Sequence, residues 1–466
     1  MSTPATPLAP DRIAALFQPA VRRVLTDADS LQRYGRDWTR ATDPAPSCVL
    51  LPASIEEVQA IVRVANAHRI ALVPSGGRTG LSGGAVAASG EAVVAMDLMN
   101  KVLAFNPLDR SVQVQAGVVT KQLQEFAEEK GLYYPVDFAS AGSSQIGGNV
   151  GTNAGGIKVI RYGMTRNWIS GLKVVTGSGD LLELNKGLAK NATGYDLRHL
   201  FIGSEGTLGF VCEATVQLAR PPQNLTVLVM GVPDFAAVMN VLHAWQEKLD
   251  ITAFEFFSEK AMRHVLAHGV PRPFETEAPF YVLVEFENTS EAVGECALGL
   301  FEAGVEKGWV IDGVMSQSDT QLKNLWALRE RISESISKYT PYKNDISVTV
   351  ANVPAFVQEV DEIVQANYPD FEIVWFGHIG DGNMHLNILK PDQVAREEFL
   401  GKCKKVSDWV YAAVQKYNGS ISAEHGLGNI KKPFLHYTRS ETEQAYLRAI
   451  KQAFDPNGIM NPGKVI

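Results

Sequence analysis

Cysteine is scarce in this chain and scattered where it occurs. Cys48, Cys212, Cys296 and Cys403 form no CxxC pair. That spacing argues against a disulfide framework and against a thiolate-held zinc or iron–sulfur site, and it fits a reducing compartment. Long apolar runs are missing too; none reaches the roughly 18–20 residues that cross a bilayer. The opening MSTPATPLAPDRIAAL puts Pro and Asp where a secretory leader needs an unbroken apolar core, so the expected address is cytoplasmic. Positive charge is not in excess, with 43 Lys and Arg against 51 Asp and Glu, a net charge of -8. No basic strip carries interleaved aromatics, which speaks against nucleic-acid binding. Two nucleotide templates are absent as well. There is no GxxxxGK followed by Ser or Thr, and no GxGxxG between a strand and a helix, so neither an ATP-type phosphate loop nor a nicotinamide Rossmann site is expected.

What is present is an ordinary globular composition over 466 residues, enough for two or three domains. Residues 53–69, ASIEEVQAIVRVANAHR, read as an amphipathic helix opened by a capping box at Ser54 and Glu57. The strands IALVP and EAVVAMDL follow, separated by a glycine-rich loop. TKQLQEFAEEKG reads as a helix with a C-terminal glycine, and ISGLKVVTGSGDLLEL as a hairpin turning at Gly177-Ser178-Gly179. RPPQ, residues 220–223, breaks the pattern and marks a domain boundary. Residues 224–415 alternate strands with longer helices, an α/β sandwich on a mostly antiparallel sheet. The tail from about 416 is glycine-rich and ends in turns.

Two loops concentrate glycine: PSGGRTGLSGG, residues 74–84, has five, and GSSQIGGNVGTNAGG, residues 142–156, has six. Such density costs conformational entropy and implies backbone at close approach. Amides bared in consecutive turns make nests for anions such as a diphosphate, with Ser75, Ser82, Ser143, Thr79 and Asn153 as added donors. One such loop would read as a structural turn. Two in one domain favour a ligand.

FGHIGDGNMHLNI, residues 376–388, sets two of only nine histidines across an Asp-Gly turn. A two-residue turn centred on Asp381 and Gly382 would place His378 directly opposite His385, with Asn387 on the same face. Two imidazoles so placed suit a metal such as zinc, which takes His, His and a carboxylate and keeps an open position. They equally suit a pair that packs or hydrogen-bonds across a hairpin. His264 and His268 also have helical spacing, but without a third ligand nearby they read as decoration of a helix C-terminus. In TQLKNLWALRERISESISK the apolar stripe runs Leu322, Leu325, Ile332, Ile336, and Arg329 falls on or beside it, whereas Arg331 shares a solvated face with Glu334 and Lys338. An inward guanidinium wants a carboxylate, from the protein or from a substrate.

The two glycine loops, PVDFASAGSSQIGGNVGTNAGG and GYDLRHLFIGSEGTLGFV resemble the flavin domain of the vanillyl-alcohol-oxidase-like flavoproteins. With FGHIGDGNMHLNI, AEHGLG and DPNGIMNPGK the resemblance narrows to the FAD-linked 2-hydroxyacid dehydrogenases, a group with D-lactate, glycolate and D-2-hydroxyglutarate members. It runs from about residue 45 to 466. It implies an α+β fold: an FAD-binding domain of two subdomains at 1–220, a substrate (cap) domain at 221–415, and a segment 416–466 that completes the active site and returns to the first domain. The diphosphate would be held by the loop 76–84, and Pro74, Ser75, Gly76, Gly77, Arg78, Thr79, Gly80, Ser82 and Gly83 would bind the cofactor. Pro135, Asp137, Gly142, Ser143, Gly148, Asn149, Gly151, Asn153 and Gly155 would approach the flavin, with Glu205, Gly206, Val211 and Asn461 also near the cofactor. Relatives with covalent flavin use a His or Cys, and neither loop has one, so non-covalent FAD is implied.

The same resemblance assigns His378, His385 and Glu424 to a divalent metal, with zinc expected and manganese, cobalt or iron allowed by ligand type. His425 becomes the general base for the 2-hydroxyl proton. In the D-2-hydroxyglutarate branch the residues matching Arg329, Ser333 and Lys343 hold the far carboxylate; relatives often carry Thr at the Ser333 position, which keeps the hydroxyl and leaves selectivity open. Asn387 joins the substrate set. The implied reaction oxidises a D-2-hydroxy acid, D-2-hydroxyglutarate before D-lactate or glycolate, and passes electrons to an electron-transfer flavoprotein or quinone-linked acceptor. A homodimer is the candidate assembly. Competing classes are a metal-dependent hydrolase with a nucleotide substrate and a non-catalytic flavin-binding subunit.

Overall fold

The computed structural model describes residues 8–39 and 42–466, which build three sheets. In the first, β1 (Val24–Leu25), β2 (Cys48–Leu50), β3 (Leu72–Ser75) and β4 (Ala92–Ala95) lie in the order β1-β2-β4-β3, with β2 and β3 parallel to β4. A helix, Ile55–His68, links β2 to β3. Its apolar period turns Val58, Ile61, Val62 and Ala65 into the core. Ser54 Oγ accepts from Glu57 N at 3.3 Å, but the Glu57 carboxylate returns to Ala53 N at 2.8 Å. The expected reciprocal box is therefore shifted by one residue.

The second sheet is antiparallel throughout: β5 (Val102–Asn106), β6 (Ser111–Gln115), β7 (Ile169–Thr176), β8 (Leu181–Leu184) and β9 (Gly209–Gln217), in the order β5-β6-β9-β7-β8. The hairpin β7–β8 turns at Gly177-Ser178-Gly179 as expected, with Gly179 at φ 88°. The helix Thr120–Glu129 packs Leu123 and Ala127 into the core of this sheet.

The third sheet decides the chemistry. It comprises β10 (Leu225–Val232), β11 (Ile251–Ser258), β12 (Phe280–Glu287), β13 (Asp312–Met315), β14 (Tyr342–Ser347), β15 (Glu372–His378) and β16 (Asn383–Leu389), all antiparallel, in the order β13-β10-β12-β11-β15-β16-β14. Strand alternation gives it two unlike faces. Phe254, Phe256, Val282, Val284, Trp375, Met384, Leu386 and Ile388 point to one side, under the helices Phe235–Gln246, Val353–Asn367 and Arg396–Lys416. Phe257, Tyr281, Leu283, Val374 and Phe376 point to the other, where the helix Asp319–Glu330 covers them with Leu325, Trp326 and Leu328. That second face turns polar along β14, β15 and β16.

Two segments differ from expectation. The long helix through Arg329 stops at Arg331, and a short turn, Ile332–Ser335, carries on. Ile332 and Ile336 are still fully buried, in the same core as Leu325. The tail ends in turns as expected, but before them Glu441–Phe454 forms a helix that was not expected, opened by a capping box between Ser440 and Glu443. After it Ile459 and Met460 enter the core of the first sheet, and Asn461 N donates to Leu72 O at 2.7 Å.

Candidate active site

A cleft of about 950 Å³ runs between the two glycine loops and the polar face of the third sheet. Its size is at the upper end of the range for small-molecule sites. The loops meet backbone to backbone: a Cβ on Gly77 would lie 2.2 Å from Ser143 O. Gly148, which also lines the cleft, has nothing within 4 Å of where its Cβ would be, so any larger residue would stand in the open space. An extended cofactor lying on bared backbone fits this floor.

The histidines come from the hairpin β15–β16, in a register other than the expected one. His378 pairs with Asn383, and His385 pairs with Phe376. The connection is not a two-residue type I′ turn, which needs two residues at positive φ. Ile379–Asp381 make a 3₁₀ turn and only Gly382, at φ 81°, is left-handed. The shift is by an even count, so both histidines keep the same face as diagonal neighbours, with ring centroids 5.3 Å apart. On that face Phe376, His385 and Asp345 form one cross-strand row, and Val374, Asn387 and Lys343 the next.

Glu424 and His425 reach this face from the C-terminal segment. Glu424 Oε1 stands 3.6 Å from His378 Nε2, 3.7 Å from His385 Nε2 and 3.8 Å from His425 Nε2. Its other oxygen accepts from Gly156 N at 2.9 Å, tying it to the second glycine loop. The ligand atoms of Asp345, His385, Glu424 and His425 all lie within 4.8 Å of one another, a cluster spacing that includes Asp345 and His425 and not His378. The oxygens of Asp345 are already engaged, by Asn383 Nδ2 at 2.9 Å and by the backbone N–H groups of Glu424 and His425 at 3.0 Å each. His378 Nδ1 meets Glu255 Oε1 at 2.7 Å, which makes Nδ1 the donor and turns Nε2 inward. With Asp345 so engaged, His378, His385, Glu424 and His425 are the side chains left that could hold an ion.

The electrostatics of these groups are opposed. Burial alone would lower His378, but Glu255 and Glu424 outweigh it and carry its pKa up to about 10. Burial, aided by the His378 charge, takes His385 down to about 3. Burial pushes Glu424 up, yet the His378 hydrogen bond and charge bring it down to about 2. Asp345 resists its own burial through His425 and Lys431 and lies well below the usual carboxylate range. His425 rests beside it, Nδ1 to Asp345 Oδ2 being 3.5 Å.

Beside these histidines Arg329 has found an internal carboxylate, the same Glu255 that meets His378. Its Nε lies 2.8 Å from Glu255 Oε2, an ion pair without hydrogen-bond alignment, and its guanidinium sits over the Phe376 ring at 4.7 Å. No described residue hydrogen-bonds its terminal nitrogens. Ser333, Lys343 and Asn387 line the same cleft, and burial lowers the Lys343 pKa. Glu205 also lines it; burial pushes its carboxyl up to about 7 against N–H donation from Leu427 and Gly428, at 2.7 and 2.9 Å.

Of the residues singled out for the cofactor, Pro74, Ser75, Gly76, Gly77, Arg78, Thr79, Gly80, Ser82, Asp137, Ser143, Gly148, Asn149, Gly151, Gly155, Glu205, Gly206 and Val211 line the cleft. Gly83, Pro135, Gly142, Asn153 and Asn461 are not among its lining residues. Gly83 N donates to Asp37, Asn153 Oδ1 accepts from Arg166 N, and the Asn461 amide bridges Gly84 O and Glu205 O. His264 instead pairs with Glu372 at 2.9 Å, away from the cleft. Sequence reasoning missed Asp345 and Glu255. Asp345 was legible from its alternation with Lys343 in YKND, and Glu255 as the lone charge in the apolar strand ITAFEFFS.

Residues 221–465 match the family of FAD linked oxidases, C-terminal domain, and residues 46–185 match the FAD binding domain. The chain belongs to the FAD-linked oxidase family. Within it, the chain is 68% identical over 456 residues to D-2-hydroxyglutarate dehydrogenase of Stutzerimonas stutzeri (strain A1501), covering 98% of each. It is 36% identical over 462 residues to the mitochondrial D-2-hydroxyglutarate dehydrogenase of Bos taurus, covering 98% of this chain and 83% of that protein. The fold matches that of 4-ethylphenol oxidase from Gulosibacter chungangensis, with a TM-score of 0.77 at 17% identity, over 100% of this chain and 98% of that one. As an FAD-linked oxidase the protein is an oxidoreductase with an FAD-binding domain, which sets aside the hydrolase alternative. No helix among the described residues is long and apolar enough to cross a membrane.

Proposed function

We propose that this protein oxidises D-2-hydroxyglutarate to 2-oxoglutarate, using non-covalent FAD and a divalent metal ion, zinc by preference. The observation that carries the reading is one sheet face on which His378, His385, Asn387 and Lys343 stand in register, completed by Glu424, His425 and Arg329 and open to the glycine loops. Bound FAD would supply the two-electron acceptor for the C2 hydride, and a bound ion the Lewis acidity that makes the 2-hydroxyl acidic.

The chain's own residues do the rest. His425 takes the hydroxyl proton, its ring set by Asp345. Arg329, with Lys343 and Ser333 beside it, holds the distal carboxylate, which a monocarboxylate such as D-lactate lacks. Asn387 offers an amide whose contacts to Val374 O and His385 O, at 3.4 and 3.3 Å, are long enough to yield to substrate. Among the described residues no cysteine lines the cleft, and its histidines come from β15, β16 and the C-terminal segment and not from the glycine loops, which supports a non-covalent flavin.

The division into residues 1–220, 221–415 and 416–466 belongs to the same reading, as does reoxidation by an electron-transfer flavoprotein or quinone-linked acceptor. So do a homodimer and a cytoplasmic address, the latter supported by four unpaired cysteines. Anaerobic bleaching of the flavin by D-2-hydroxyglutarate, D-malate, D-lactate and glycolate, before and after metal stripping, tests the proposal. Fast bleaching by the D-diacids, lost on stripping and restored by added metal, is expected. Faster bleaching by lactate or glycolate would overturn the substrate assignment, and bleaching indifferent to thorough stripping would overturn the metal.

A further inference from the structure

We infer that Glu255 is a positioning residue that fixes the metal ligand His378 and the substrate arginine Arg329 to each other through one carboxylate. The inference rests on the function proposed above and adds a residue to it. In β11 the sequence ITAFEFFS carries a single charge among apolar neighbours, and Glu255 is only 1% exposed. A carboxylate does not stay buried at such a position without partners, and this one has two. Oε1 meets His378 Nδ1 at 2.7 Å and Oε2 meets Arg329 Nε at 2.8 Å. The sheet dictates the first contact. Phe256 faces Gly377 and Phe257 faces Phe376 across β11 and β15, so the same register carried one residue further sets Glu255 opposite His378. The helix Asp319–Glu330 supplies the second contact from above that face.

The consequence is geometric. Accepting from Nδ1 leaves Nε2 of His378 as the ligating atom and fixes the ring plane. Holding Arg329 by Nε, the inner nitrogen, leaves the two terminal nitrogens of this cleft-lining residue for a bidentate grip on a carboxylate. One side chain thus sets the span between the ion that holds the hydroxyl end of the substrate and the guanidinium that holds its far end. A substrate of the wrong length cannot meet both.

The test compares E255Q and E255D with wild type in the flavin-loaded protein. Zinc affinity is read by competition with a chromophoric chelator from pH 6 to 9 and expressed for the neutral His378 imidazole, so that a change in the proton displaced on binding is taken out, and kcat/KM is read for D-2-hydroxyglutarate and D-lactate. A glutamine keeps the shape but can accept at only one of its two atoms. In E255Q, zinc affinity should fall by about 10–100-fold, and the preference for the diacid over D-lactate by about tenfold or more. E255D should recover part of the zinc affinity, because the charge remains. Flavin content and melting temperature close to wild type, with both losses present, would support the assignment, since a merely structural defect lowers both substrates alike. Zinc affinity within twofold of wild type in a folded, yellow E255Q would overturn it. Should E255Q lose its flavin, E255D is read in the same assays, and unchanged affinity and preference there would overturn it as well. A wild-type protein that binds no zinc would fail the underlying metal reading and this inference together, and the wild-type control separates that case from the others.

Discussion

Binding of a divalent ion to the His378, His385, Glu424 site should release one proton, and the pH dependence of affinity should show it. In the metal-free protein His378 is held protonated between Glu255 and Glu424, with a pKa near 10, while His385 is neutral, with a pKa near 3, and Glu424 is ionised, with a pKa near 2. A ligating imidazole must be neutral, so below the His378 pKa each bound ion displaces its proton, and affinity rises with pH. His385 and Glu424 have no proton to lose in the measurable range. The slope is therefore one proton, tenfold per pH unit, and it persists toward pH 10. Between pH 6 and 9 that amounts to about a thousandfold, or roughly 4 kcal/mol. An unperturbed histidine would level off above about pH 7, since its pKa is near 6.5. The assay is zinc competition against a chelator of known proton dependence, at half-unit steps from pH 6 to 9. Affinity that flattens above pH 7 would refute the reasoning, because it would mean that Glu255 and Glu424 do not hold a charge on His378. A slope of two would place a second proton on His385 and refute it from the other side.

Two further outcomes follow from the geometry. H425N should lower kcat by about 10²–10⁴-fold, the span of a lost general base, with flavin content and zinc affinity kept, as stopped-flow flavin reduction and metal analysis would show. K158M should destabilise the protein by about 3–5 kcal/mol in urea titrations, because Lys158 forms a buried ion pair with Glu285, and the carboxylate would be left with only Thr252 Oγ1 and Trp326 Nε1 as donors. K158M combined with E285Q should recover a large part of that loss; no recovery would mean the cost is packing and not charge.

The sequence discloses this site unevenly, for reasons that can be named. The glycine loops were legible because backbone at close approach tolerates no side chain, and Gly77 against Ser143 O is that constraint in the structure. The face shared by His378, His385 and Asn387 was legible because strand alternation survives an even register shift, although the turn itself did not match. Asp345 and Glu255 were harder. Their partners lie 80 and 123 residues away for the contacts to His425 N and His378, and no local pattern encodes separations of that kind. Arg329 was placed correctly on the inner face, yet its partner comes from β11, a strand whose order in the sheet is set by crossovers and not by neighbouring sequence. The helix Glu441–Phe454 went unread despite its capping box, because the flanking glycines and prolines dominate the composition of the tail.

The ligands of the proposed metal site come from β15, β16 and the C-terminal segment, while the flavin floor comes from the N-terminal loops. Flavin-to-substrate distance is therefore a property of the seam between them. Four contacts cross it close to the chemistry: Gly156 N donates to Glu424 Oε2 at 2.9 Å, Ser82 Oγ donates to His425 O at 2.8 Å, and Glu205 accepts from Leu427 N at 2.7 Å and from Gly428 N at 2.9 Å. Each joins a glycine-loop residue, or the carboxylate beside those loops, to the segment 424–428. Lys158, two residues beyond Gly156, adds the buried pair with Glu285 in β12. The segment AEHGLG is thus anchored to the flavin side by four hydrogen bonds, and to the cap by the N–H groups of Glu424 and His425 on Asp345. Substitutions at Ser82 or Glu205 should act on hydride transfer through distance, leaving zinc affinity largely intact, whereas those at Asp345 should disturb both. Angstrom-scale displacement is enough for a rate effect of about a hundredfold, so the rate of flavin reduction, read by stopped flow, should depend on these seam contacts as well as on the residues that touch substrate.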